Sequence, residues 1–405
     1  MFARGNLSLL FILFTVALDA IGIGLIFPVM PDLMEDVTHA GLGGAALWGG
    51  VLAASFAVMQ FLCGPLVGNL SDRFGRRPVL LVSLAVMALD YVVMALAHTV
   101  WLLLVARIVA GVAAATHATA NAYVADISTP DQRAKRFGLL GAGFGIGFVA
   151  GPMLGGVLAG VDVRAPFWVA AGLALANLVF GWFVMPESLS LANRRSFTLA
   201  RANPLASLRA VRRLPGLQRL LLVTFLYAVT FNVWPAIWAY YGKAAFGWNA
   251  QWIGLGLAAF GVCMALTQAL LLGPMIRRLG ERRTAAVGMG LEVVSYGFYG
   301  LATSGFWALL FTPVAALGGV TGPSLQAMMS RAVPENQQGE LQGVNSSLNA
   351  LATIISPLVM TWVFDLFTSD KVPFHLPGAP FLLSATLMVA VVILFVAGTR
   401  ETARP

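Results

Sequence analysis

The sequence predicts an all-α integral membrane protein of twelve transmembrane helices, arranged as two pseudo-symmetric six-helix bundles. Three observations predict it. Apolar residues make up 59% of the 405 and charged residues only 10%, against roughly 25% charge in a soluble globular chain. Twelve mostly apolar segments lie between charged or Gly/Pro-rich connections, each near the ~20 residues that cross a bilayer. One charged loop recurs 205 residues further on. Much of any folded surface must face its solvent, and for so apolar a chain that solvent is lipid.

The first six segments run approximately 7–30, 45–69, 77–98, 100–125, 136–160 and 165–185. The second six run approximately 218–241, 250–275, 284–303, 305–330, 338–366 and 377–398. The N-terminus opens like a signal peptide, with Arg4 before an apolar stretch. Asp19 interrupts that stretch and no small-x-small cleavage site follows before Pro28, so it reads as an uncleaved span. The chain therefore divides into a bundle at 1–185, a linker at 186–216 and a bundle at 217–405. The linker holds Arg194, Arg195, Arg201, Arg209, Arg212 and Arg213 with Pro204 and Pro215. That composition suits a polar connection lying along the membrane surface as a basic helix.

Charge placement sets the orientation. With a cytoplasmic N-terminus, 21 Lys and Arg lie on the cytoplasmic side, and only Arg164, Lys243 and Lys371 lie opposite. The positive-inside rule then puts both termini in the cytoplasm. The net charge of +8 is spent on topology, and no solvated basic face is left to grip nucleic acid. Cys63 and Cys263 fall inside apolar runs, one per half, and read as packing. The glycine-rich strings at 41–50 and 141–156 lack the Lys-Ser/Thr ending of a phosphate loop. No nucleophile–base pair or metal triad stands in a suitable context, so an enzyme is not expected.

The loop after the second span, Gly68-Asn-Leu-Ser-Asp72-Arg73-Phe-Gly75-Arg76-Arg77, is echoed after the eighth by Gly273 to Arg283. Its glycines permit a tight turn. Asp72 could cap a neighbouring helix N-terminus, and Arg73, Arg76 and Arg77 could pair with Asp72 or Asp126. In the fifth span, Gly143, Gly147, Gly151 and Gly155 share one helix face, which lets another backbone approach closely, and Pro152 bends the helix. Static packing is the competing reading of that face.

Ionisable groups inside the spans point to chemistry. Asp19, Asp90 and Glu292 sit well within apolar runs, and Arg107 lies in the outer half of span four. An ionised side chain there costs at least ~2.5–3.5 kcal/mol, so each should face a cavity and find a partner or exchange a proton. A structural Asp19–Arg107 pair is one alternative; Asp90 and Glu292 have no evident partner. His117 reads more readily as packed or lipid-edge than as a titrating group. Trp234, Trp238, Tyr240, Tyr241, Trp248 and Trp252 read by default as an interfacial aromatic belt, with Trp234 or Phe231 as possible contacts for an apolar ligand face.

GNLSDRFGRR resembles the signature loop of the major facilitator superfamily (MFS). Gly143 to Gly156 and Arg107-Ile-Val-Ala-Gly111 resemble the fifth- and fourth-helix motifs of its drug/proton antiporter branch. ALDAIGIGLIFPVMP at 17–31, SDRFGRRPVLL at 71–81 and LQG at 341–343 are similar to bacterial tetracycline/proton antiporters. The resemblance implies the MFS fold and export of a tetracycline-like drug by alternating access, driven by protons, in the bacterial inner membrane. It implies Asp19, Asp90 and Glu292 in proton coupling and Gln60, Arg107 and Gln268 at the substrate. Gating would fall to Gly68, Asp72, Arg73, Gly75, Arg76, Asp126, Gly147, Gly151 and Pro152. The partners are then the drug, protons and lipid around a monomer. No cofactor is expected, and any Mg2+ would travel with the drug. Two departures stand out: Glu292 where the family usually has Asp, and Met264 where several members have His. They keep open the export of another amphipathic drug or a metabolite.

Overall fold

The computed structural model describes residues 2–114, 116–197, 211, 216–334, 337–369 and 371–398, without the side chains of 2–7, 117, 130 and 134. Most of the basic linker (Arg201, Arg209, Arg212 and Arg213, with Pro204 and Pro215) lies outside the described residues, as do the His117 side chain, Arg400 and Arg404. Every regular element among the described residues is helical.

The first half contributes α1 (Phe2–Ile26), α2 (Met30–Thr38), α3 (Leu42–Phe74), α4 (Arg76–Leu96), α5 (Val100–Ala113), α6 (Thr116–Asp126), α7 (Pro130–Ala159) and α8 (Ala165–Val184). The second contributes α9 (Gln218–Phe231), α10 (Val233–Phe246), α11 (Ala250–Leu266), α12 (Leu272–Leu301), α13 (Gly305–Leu317), α14 (Thr321–Arg331), α15 (Gln338–Thr368) and α16 (Ala379–Gly398). Several predicted spans are thus two helices end to end. The fourth breaks at Ala114 (φ −72°, ψ 58°), and a broken span is tolerated only where its freed backbone groups are satisfied again. Here the Ala114 carbonyl accepts a hydrogen bond from Gln60 Nε2 at 3.3 Å.

Eleven helical runs among the described residues are long and apolar enough to cross a membrane, against twelve predicted. The difference lies in one place. Ala250–Leu301 is a single run of 52 residues, which as a straight helix would be about 78 Å long, over twice the ~30 Å hydrocarbon core. It turns at Gly280, whose φ of 76° and ψ of 164° are non-helical, and so supplies two crossings. Gly75, at the matching place between α3 and α4, has φ 106° and ψ 161°. Only glycine takes such a conformation without steric cost. The sequence echo is therefore also a conformational one.

The chain forms two compact units. One comprises residues 1–38, 55–204 and 250–258; the other comprises 39–54, 205–249 and 259–405. In the first, the glycine stripe of α7 packs on the backbone of α1. A Cβ at Gly143 would lie 3.4 Å from the Leu13 carbonyl, and one at Gly151 would lie 2.7 Å from the Ile21 carbonyl; Gly147 and Gly155 meet the Ala17 and Leu25 carbonyls in the same way. Pro152 in turn sits 2.7 Å from the Cβ position of Gly24, and Gly156 faces Ala250. The stripe is thus a close-packed helix seam. A Gly151→Leu substitution is expected to collapse the yield of monodisperse protein on size exclusion, because backbone atoms cannot give way as a flexible side chain can. Wild-type yield would show that the seam is loose.

The aromatic residues differ from the predicted belt. In the second unit Trp234, Trp238, Tyr240, Tyr241 and Trp248 are all buried. Trp234 lies 5.1 Å from Phe260, 5.0 Å from Tyr299 and 5.1 Å from Phe381, ring centre to ring centre. Large aromatic rings carry more buried area per residue than other side chains, and here they form that unit's core. Only Trp252 of the group is exposed.

Candidate functional site

In the first unit the structural Asp19–Arg107 pair weighed as an alternative is not formed, and Asp90, which had no evident partner in the sequence, has one. Arg107 on α5 forms its ion pair with Asp90 on α4, not with Asp19. Its Nη2 also approaches Met94 Sδ at 3.1 Å, and its guanidinium lies 5.5 Å from the centre of the Phe56 ring. Phe56 and Gln60 stand one turn apart on α3, so Gln60, Phe56, Arg107 and Asp90 form one constellation held by α3, α4 and α5. Gly111 lets α5 come this close: a Cβ there would lie 2.5 Å from the Phe56 carbonyl. Asp90 Oδ1 has no hydrogen-bond partner, and neither does Arg107 Nε.

Asp19 is a second carboxylate within the spans of this unit, and among the described residues it makes no ion pair. Its Oδ1 is buried without a partner, and it lines a small internal cavity with Leu84, Met87, Tyr91 and Asn177. Gly22, one turn on, makes room for the Tyr91 hydroxyl, which would lie 2.7 Å from a Cβ at that position. Asp19 and the Asp90–Arg107 pair thus flank α4 through the adjacent residues Asp90 and Tyr91.

The charged loop between α3 and α4 is held by Arg76. It pairs with Asp72 at 2.6 Å and with Asp126 at 3.2 Å, and donates to Ser71 Oγ at 3.1 Å. Arg73 instead lies over the Phe74 ring, and a Cβ at Gly68 would meet open space. The predicted cap is corrected here. Glu187, after α8, caps α4 by accepting from the backbone N–H of Arg76 at 2.8 Å and of Arg77 at 3.2 Å. An anion at a helix N-terminus meets both the free N–H groups and the dipole. Sequence reasoning missed Glu187 because it lies 111 residues from its partner. A short strap completes the cluster: Ser188 Oγ donates to Asp126, Tyr123 Oη to the Pro186 carbonyl, and Arg195 N–H to the Asp72 carbonyl.

In the second unit Glu292 on α12 is 3% exposed, and both its carboxylate oxygens are buried without an aligned hydrogen-bond partner. Its polar neighbours are the hydroxyls of Tyr227 and Tyr296. Below it runs the turn Gly318–Val320. A Cβ at Gly318 would lie 3.1 Å from Glu292 Oε1, and one at Gly319 would lie 3.2 Å from Met264 Cε. The two departures from the antiporter pattern therefore rest on adjacent glycines. Gln268 falls in a π-helical segment, Thr267–Leu271, and is exposed. Such segments widen a helix locally and are frequent at functional positions.

The Major Facilitator Superfamily is matched over residues 12–233 and 219–405. The chain is 44% identical to the class C tetracycline resistance protein of Escherichia coli, over 89% of this chain and 90% of that protein. It is 40% identical to the class G tetracycline resistance protein of Vibrio anguillarum, over 88% of this chain and 90% of that one. The crystal structure of a human organic anion transporter superposes with a TM-score of 0.69 at 26% identity, covering 96% of this chain and 99% of that one.

Proposed function

This chain belongs to the Major Facilitator Superfamily, and from that membership we propose that it is a proton-coupled antiporter exporting tetracycline-like drugs. It is a multi-pass membrane protein and a transporter rather than an enzyme. The observation that carries the proposal is Glu292: a membrane-buried carboxylate with no ion-pair partner among the described residues, in a chain 44% identical to a tetracycline resistance protein. Such a group is costly unless it works on a proton or ligand pathway.

In this reading the drug enters as a divalent-metal chelate, so the metal is cargo and the protein needs no cofactor. Gln60, Arg107 and Gln268 supply polar contacts to it. Glu292 accepts the coupling proton. Asp19, which like Glu292 makes no ion pair among the described residues, is the next candidate, and Asp90 follows because its charge is already met by Arg107. The halves 1–185 and 217–405 move in alternating access. Gly68, Asp72, Arg73, Gly75, Arg76 and Asp126 act as a latch on one face, while Gly147, Gly151 and Pro152 act as a hinge seam. The Lys/Arg bias supports both termini on the cytoplasmic side of a bacterial inner membrane, and in this reading the protein acts as a monomer. A driving force of about 150–200 mV supplies roughly 3.5–4.6 kcal/mol per charge, enough for about a 10²- to 10³-fold gradient.

The test is tetracycline uptake into inverted vesicles with Mg2+ under an imposed pH gradient. Uptake that survives collapse of the gradient excludes proton coupling. Met264 and Glu292 favour one second reading, export of another amphipathic drug or a metabolite. Gradient-driven uptake of other compounds without tetracycline would select it.

A further inference from the structure

The outer faces of α4 and α8 enclose an open groove of about 740 Å³, within the range of about 300–1,000 Å³ typical of small-molecule sites. Its floor and walls are apolar, formed by Leu81, Val82 and Ala85 on one side and Leu178, Val179 and Phe183 on the other. Val82, Val179 and Phe183 are exposed, so the groove faces lipid. Its polar end is different. Arg77 and Arg194 both line it, and the Nε of each is buried without a hydrogen-bond partner. Among the described residues neither makes an ion pair, although Arg76 beside them makes two.

The one acid at that end, Glu187, accepts from the backbone N–H groups of Arg76, Arg77 and Leu189. Glu187 thus serves the α4 N-terminus, and although it lies near Arg194 at the Gly75 turn, it makes no ion pair with either guanidinium among the described residues. Arg77 is also fixed in place: its Nη2 donates to the Trp182 carbonyl at 2.6 Å, and its guanidinium lies 6.0 Å from that ring. Two guanidinium groups, one of them held in place, above an apolar trough match an acidic phosphate carrying a hydrocarbon chain.

We propose that the groove between α4 and α8 binds an anionic phospholipid, with its phosphate on Arg77 and Arg194 and an acyl chain along Leu81, Val82 and Val179. The leaflet rests on the orientation proposed above, which puts this end of α4 and α8 at the cytoplasmic surface. The lipid would then fasten α8 and the Glu187 strap to α4 beside the Arg76 cluster.

The test needs no transport. Native mass spectrometry of the purified full chain would be titrated with phosphatidylglycerol, phosphatidylcholine of the same chains, or inorganic phosphate. Wild type is expected to keep phosphatidylglycerol under activation that strips phosphatidylcholine. Arg77→Gln with Arg194→Gln should weaken that retention about tenfold or more, whereas removing the exposed Arg282 and Arg283 should not. Val82→Trp, with both arginines intact, should also weaken it by filling the trough. Equal retention by the Arg77/Arg194 variant, or displacement of the lipid by inorganic phosphate, overturns the site. Labelling of Phe183→Cys by an impermeant maleimide only in inverted vesicles supports the leaflet; labelling only in right-side-out vesicles overturns it. Loss of the lipid site would leave the export reading standing, since that is measured separately.

Discussion

Glu292→Gln is expected to remove the proposed gradient-driven tetracycline accumulation in inverted vesicles, lowering the initial rate by about 100-fold or more, while the purified protein stays folded. Both halves of that result follow from the surroundings of the side chain. The amide has nearly the same shape, so the contact over Gly318 survives. Neither carboxylate oxygen holds a structural partner, so no ion pair is lost, and removing an ionisable group from the interior costs the fold nothing. Only the exchangeable proton goes. Drug binding should change far less than transport, and Glu292→Asp should recover part of the rate. A Glu292→Gln protein that transports at half the wild-type rate would end the assignment of the coupling proton to this residue.

Arg107→Ala is expected to cut folded yield and thermal stability sharply, by about 3–5 kcal/mol. It strands Asp90, whose side chain is only 5% exposed, without its countercharge. The double variant Asp90→Asn, Arg107→Gln should regain most of that loss, because replacing both members of a buried pair is often close to neutral. Thermal melts followed by size exclusion read the stability, and vesicle uptake reads the role. A stable double variant that transports makes the pair scaffold; a stable one that does not places the pair in the pathway. Arg107→Ala melting with wild type would mean the pair contributes nothing.

The fold was legible in the sequence because lipid imposes one-dimensional rules. Span length, the positive-inside bias and the repeat of Gly75 at Gly280 can all be read along the chain, and the backbone repeats its unusual dihedrals at those two glycines. Partnerships were harder. Arg107 could reach a carboxylate on α1 or on α4, and hydropathy does not say which helix face points where. Glu187 capping α4 depends on contacts across more than a hundred residues. The aromatic residues near the ends of α10 and α11 carry the same composition whether they sit in headgroups or in a core, so only packing separates the two. The Arg76–Asp72 pair and the α7 seam were legible because their spacing, four residues in each case, sets the groups near one another.

The bare turn under Glu292 and Met264 decides which side chains those two positions can hold. Gly318 and Gly319 offer no side chain to either residue, so a longer acid and a thioether are both accommodated without shifting a helix. With an Asp at 292 the carboxylate would stand one methylene higher and leave empty space over Gly318. With Glu at 292, even an alanine at 318 would press on the acid's side chain at its Cγ, whereas the Met264 methyl, 3.2 Å from a Cβ at 319, can swing aside.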